Sequence, residues 1–148
     1  MKELETILDM WSKDAVIDNM KLDNTSAETP KLHAKYLQLL SQAKMELKKS
    51  EFRQKTLLKD KWLYYNGKMS QDVLEEKGWD PDPFNGLKIM KGEMNYYYDA
   101  DPEIQKSEHT IQYWKTVIDT LTEIVDTLKW RHQTIRNIIS WRQFESGN

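Results

Sequence analysis

Lys59, Lys61, Trp62, Tyr64 and Tyr65 set two ammonium groups beside three large rings within one short stretch. Ammonium groups replace counterions along a phosphate backbone, and open rings accept unstacked bases, so this mixture suits a single-stranded nucleic acid. Tyr96, Tyr97 and Tyr98 add rings close to Lys88 and Lys91. Rings at helical spacing more often belong to a core than to a binding surface. Trp62 and Tyr65 lie near an apolar arc and are read as core, while Tyr64 is the ring expected to face outward.

Other chemistries find little support. The closely spaced glycines of a phosphate-cradling loop are missing, and the chain has no cysteine, so thiolate metal sites and disulfides are excluded. His33, His109 and His132 stand in different contexts; His132 falls on an apolar seam and is read as packing. Asp80, Asp82 and Asn85 superficially resemble a calcium loop, but their spacing and the intervening prolines do not fit one. No pair of carboxylates is placed across a cleft by the sequence. The chain is therefore read as a binding protein rather than an enzyme, with no cofactor and no metal.

The basic residues belong to a helix expected from Pro30 to about Tyr65. Thr25 and Glu28 have capping-box spacing, but Thr29 followed by Pro30 is the preferred start, a cap with proline at the first helical position. At about 100° per residue, Leu32, Tyr36, Leu39, Leu40, Ala43, Leu47, Leu57, Leu58 and Tyr65 share one arc. Lys44, Lys48, Lys55 and Lys59 fall on another, and Lys31, Lys35, Lys49 and Arg53 make a further strip. A solvated face is the plainer account of such lysines. Against it, few acids lie at salt-bridge spacing on this helix.

The most regular pattern lies near the C-terminus: Ile111, Trp114, Ile118, Leu121, Val125, Leu128, His132, Ile135, Ile139 and Arg142 recur at steps of three and four. Val117, Ile124 and Ile138 widen the seam. Such alternation marks a helix buried against other helices. A helix over that stretch would run on the order of 50 Å, which predicts contact with copies of the same chain. Elsewhere, residues 3–11 read as an amphipathic helix, Asn66-Gly67 ends the basic helix, and a helical turn at 70–77 stops at Gly78. Trp79 to Gly86 reads as a loop, and 87–98 as the one place for a short β-hairpin. Asp101-Pro102-Glu103 or Ser107 opens the last helix.

The fold class is thus mostly α, built of elongated helices with a long C-terminal oligomerising helix. Residues 1–106 form the DNA-binding region and 107–148 the oligomerisation helix. Length allows one domain, and a mean hydropathy of -0.82 is polar for a globular one. The net charge of -2 hides an asymmetry: residues 31–68 hold ten Lys/Arg against three acids, while 1–30 and 69–108 are acidic. One basic segment inside an acidic chain calls for a polyanion or an acidic partner. No stretch has the length and apolarity of a membrane span, and the N-terminus lacks a secretory pattern.

Leu58-Lys59-Asp60-Lys61, Tyr64-Tyr65-Asn66-Gly67, Ile111-Gln112-Tyr113-Trp114, Arg142-x-Phe144-Glu145 and the stretch Asp14 to Leu22, taken in register, resemble the UvsY family of recombination mediators of T-even-type phages. Leu58-Lys59-Asp60-Lys61 followed by Tyr64-Tyr65-Asn66-Gly67 is similar to its basic segment and Tyr-Tyr-Ser-Gly ending. Ile111-Gln112-Tyr113-Trp114 resembles Leu-Gln-Tyr-Trp, and Arg142-x-Phe144-Glu145 with Gly147 resembles the terminal Arg-x-Phe-Glu-x-Gly. Asp14 to Leu22 is similar to Asp-x-x-Ile-Asp-x-x-Lys-Leu, and the stretch 68–106 matches least. The resemblance implies a homo-oligomeric ring, a heptamer, assembled through the C-terminal region. It implies as partners single-stranded DNA, a phage single-strand-binding protein and a RecA-like recombinase, in the cytoplasm of the infected bacterial host. Lys59 and Lys61 take the positions of the family's DNA-contacting basic pair, with lysine at 61 where the family pattern has arginine, which keeps the charge and loses the planar fork.

Two residues apart on one helix point about 200° apart, so both lysines meet one strand only where the helix ends or where DNA passes between subunits. The expected DNA-binding residues are Lys44, Lys48, Arg53, Lys55, Lys59, Lys61 and Tyr64. Ile111, Trp114, Ile118, Leu121, Val125, Leu128, Ile135 and Ile139 are the expected oligomerisation residues. The alternative function is a coiled-coil scaffold whose basic helix binds an acidic protein. A basic amphipathic helix on an anionic membrane is weaker, because the apolar arc is needed for packing.

Overall fold

The computed structural model describes residues 1–147. Among them every regular element is helical: α1 (Glu3–Asp14), α2 (Leu22–Tyr65), α3 (Gln71–Lys77), a 3₁₀ turn at Lys91–Glu93, α4 (Met94–Ala100), α5 (Pro102–Lys129) and α6 (Arg131–Glu145). The mostly α expectation holds. They form two compact units, residues 1–46 with 114–148, and residues 47–113.

In the first unit Tyr36, Val117, Leu121 and Leu128 are fully buried, with Ile7, Leu40, Ala43, Ile124, Val125 and Ile135 around them. Trp11 of α1 meets the Tyr36 ring edge-on at 5.6 Å. The Tyr36 hydroxyl and the Lys35 ammonium both donate to Asp14 Oδ2 at 2.7 Å. Burial opposes ionisation of Asp14, but those two hydrogen bonds and the Lys35 and Arg131 charges outweigh it and hold its carboxyl below the usual range.

Arg131 corrects the expectation of one unbroken C-terminal helix. Its guanidinium is buried and donates to the carbonyls of Asp14 and Val16 at 3.1 and 2.9 Å. The helix breaks one residue earlier, at Trp130 (φ -94, ψ 2). The seam also needs correcting. Leu121, Val125, Leu128 and Ile135 are buried in a unit whose core also holds Ile7 of α1 and Tyr36, Leu40 and Ala43 of α2, so this chain answers most of its own stripe. Trp114 and Ile118 are half-buried, whereas Ile139 and His132 are exposed. His132 stacks on Trp130 instead of packing in the seam.

The basic helix begins earlier than expected and keeps Pro30 inside it. Pro30 cannot donate to the carbonyl of Ser26, yet Ser26 is exposed and water can serve that group. Thr25 and Thr29, read as caps, instead turn their hydroxyls back to the carbonyls of Lys21 and Thr25.

In the second unit α2 ends as foreseen. Gly67 takes φ +67, Gly67 N–H donates to Tyr64 O, and Lys68 N–H donates to Leu63 O, a Schellman closure. The core gathers Tyr64, Tyr65 and Leu74, with Met69, Trp79, Phe84, Met94, Tyr97 and Tyr98 packed against them. Ile111, read as an oligomerisation residue, is buried in this unit. The stretch 87–98 is not a hairpin: it holds the 3₁₀ turn and most of α4. Met94, Tyr97 and Tyr98 have the spacing of one helix face, and the Tyr97 and Tyr98 rings lie 6.3 and 5.4 Å from Tyr65.

Candidate nucleic-acid interface

On α2 the positions 48, 52, 55, 59 and 62 recur at steps of four and three, which gathers them within about 80° of the helix surface. Lys48, Phe52, Lys55, Lys59 and Trp62 are all exposed there. The ammonium groups of Lys48 and Lys55 stand 5.2 and 5.7 Å from the Phe52 ring centre, and that of Lys68 lies 4.6 Å from Trp62. Lys59 is 68% exposed, with Asp60 3.5 Å away. Lys44 is exposed on the part of α2 that belongs to the first unit. Arg53, also exposed, lies on another side of α2 and lines a cleft of about 550 Å³ with Leu57, Glu103 and Lys106.

Lys61 turns inward. Its ammonium lies 3.0 Å from Asp101 Oδ2, 3.4 Å from Glu103 Oε1 and 3.9 Å from the centre of the Trp79 ring. The Tyr65 hydroxyl donates to the same Asp101 oxygen at 2.6 Å, and Trp79 Nε1 donates to Glu103 Oε1 at 2.6 Å. The other Asp101 oxygen accepts from the backbone N–H groups of Glu103 and Ile104, capping α5. Burial disfavours the Asp101 charge, but the Tyr65, Lys61 and Ile104 hydrogen bonds, with the Lys61 charge, overcome it and hold the carboxyl below its usual range.

Tyr64 also corrects its expectation. Its ring is buried, its hydroxyl donates to the carbonyl of Asp80 at 2.6 Å, and burial raises its pKa. Trp62, read as core, is 47% exposed instead. Phe52 was missed altogether, though its spacing from Lys48, Lys55 and Lys59 carried the signal. Among the described residues no group of three or more His, Cys, Asp or Glu is placed to hold a metal ion. Asp80 Oδ1 accepts the N–H of Asp82, a local turn. No helix of the described chain is long and apolar enough to cross a membrane.

Fold and surface together define a class, an all-helical protein whose longest helix carries a cationic, ring-bearing face. The family described as the recombination, repair and single-stranded-DNA-binding protein UvsY matches residues 10–148. This chain belongs to the UvsY family. It is 31% identical over 144 residues to the recombination protein uvsY of Enterobacteria phage T4, covering 97% of this chain and 98% of that one. Two crystal structures of the phage T4 recombination mediator protein UvsY are similar to it. One has a TM-score of 0.79 at 29% identity over 97% of both chains. The other has 0.77 at 28% identity over 96% of this chain and 98% of that chain.

Proposed function

We propose that this chain is a recombination mediator that binds single-stranded DNA as a homo-oligomeric ring. In this reading it promotes loading of a RecA-like recombinase in place of a single-strand-binding protein, in the cytoplasm of the infected bacterial host. The observation that carries the reading is the exposed run Lys48, Lys55 and Lys59 on one face of α2. Cations in such a line replace the counterions of a phosphate backbone.

Of the expected basic pair, Lys59 faces the strand, while Lys61 acts from beneath by holding the end of α2 to the start of α5. That division meets the difficulty of two lysines pointing about 200° apart. Residues 107–148 carry the self-association, with α6 as the contact surface. Ile139, Trp141 and Phe144 are 42%, 61% and 72% exposed there, and Trp141 stacks on Phe144 at 5.5 Å. Seven copies, the number the family resemblance implies, would offer repeated weak phosphate sites on one body and act at high effective concentration.

Titrating the assembled protein with single-stranded DNA at several salt concentrations tests the reading. Log affinity should fall with log salt at about 0.7 per phosphate contact, and a slope near zero would overturn it. A solution mass equal to one chain at working concentration would remove the ring.

A further inference from the structure

Phe52 and Trp62 are 56% and 47% exposed, although the same unit buries the rings of Tyr64 and Tyr65 only a few residues away. Large apolar rings held in water are unfavourable to the free protein. Both stand in the cationic stripe, with Lys48 and Lys55 flanking one and Lys68 beside the other. Lys55 and Lys59 fall between the rings along the helix.

We infer that Phe52 and Trp62 are stacking platforms for the unpaired bases of single-stranded DNA. The inference rests on the reading of α2 as a single-strand track and deepens it, because it adds a grip on bases to the grip on phosphates. Ten residues of helix separate the rings by about 15 Å along the axis, against about 3.4 Å between stacked bases of one strand. The two rings therefore take bases several nucleotides apart, while the phosphates between them face Lys55 and Lys59. Positive charge on both sides of each ring selects a polyanion over an apolar protein surface as the occupant. A base can displace the lysines, because an exposed cation–ring contact is worth less than a base–ring stack. Duplex DNA, whose bases are already stacked, gains nothing from the rings.

The experiment compares a thymidine homopolymer with an abasic deoxyribose-phosphate strand of equal length at fixed salt. The intact protein should prefer the thymidine strand by at least roughly 5-fold. Phe52→Leu and Trp62→Leu should each reduce that preference and leave the abasic affinity unchanged, with Trp62→Phe restoring most of it. Both rings are exposed, and an unchanged melting temperature confirms that the leucine variants fold. Lys59→Ala should weaken binding of both strands. Equal affinity for the two strands, with both leucine variants neutral, overturns the inference and leaves the phosphate track standing. A solution mass altered by the leucine variants without any change in strand preference likewise overturns it, and assigns the rings to a second copy of the chain. Failure to bind either strand overturns the track itself, and the inference with it.

Discussion

The ammonium of Lys61 lies 3.0 Å from the carboxylate of Asp101, and the two side chains are only 4% and 3% exposed. Charges this far from water persist only when each is fully answered, and here Asp101 also accepts from Tyr65 and from the first turn of α5. One ion pair thus closes the aromatic core beneath the lysine face.

Lys61→Ala should destabilise the protein by roughly 3 to 5 kcal/mol, because it leaves Asp101 buried without its counter-charge. Lys59→Ala should leave stability within about 0.5 kcal/mol and weaken single-strand binding instead. Denaturant unfolding and a binding titration on the same two variants separate these effects. Equal stability losses would sink the assignment of one lysine to the surface and the other to the core.

Acid should weaken the fold through Asp14 and Asp101. Both carboxyls titrate below the ordinary value of 3.8 when folded. The unfolded chain therefore binds protons first as pH falls. Their contribution is complete above the unfolded value and disappears as pH drops through the folded ones. Urea midpoints measured from about pH 6 down to pH 3 should decline at the acid end. Asp101→Asn should start lower and decline less, and a parallel decline would remove Asp101 from the linkage.

Arg131→Met keeps the bulk of the side chain and removes its donors to the carbonyls of Asp14 and Val16. The loss should be about 1 to 3 kcal/mol for acceptors left unserved. Amide exchange should quicken at the start of α6. Unchanged protection there would mean that the break at Trp130 does not depend on the arginine.

Trp141→Glu or Phe144→Glu should lower the solution mass while leaving helix content intact, since both side chains face water in the single chain. Leu121→Glu, at 0% exposure, should abolish folding altogether. Light scattering paired with circular dichroism distinguishes the two classes. A full-size assembly in both α6 variants would locate self-association elsewhere.

What the sequence settled by itself was local or family-wide. Repeats of three and four made the chain helical, Gly67 and Gly78 marked helix ends, and the matching tetrapeptides pointed to the UvsY family. Local signals misled where two answers shared one pattern. Tyr96-Tyr97-Tyr98 reads locally as strand, and the helix forms where Tyr65 supplies the surface that Tyr97 and Tyr98 pack on. The seam from Ile111 to Arg142 keeps its period across Trp130, so the sequence shows no break.

Only the tertiary structure decided which face of each helix meets water, because periodicity gives a stripe without naming its partner. Leu121 and Leu128 found theirs inside their own chain, whereas Trp130 at the helix break and Ile139, Trp141 and Phe144 of α6 stay exposed. Lys61 went inward because Asp101, forty residues later, waits there with a carboxylate, and Trp62, about 100° further round the helix, is left facing water. Burial is a property of contacts between distant residues, and no local spacing encodes it.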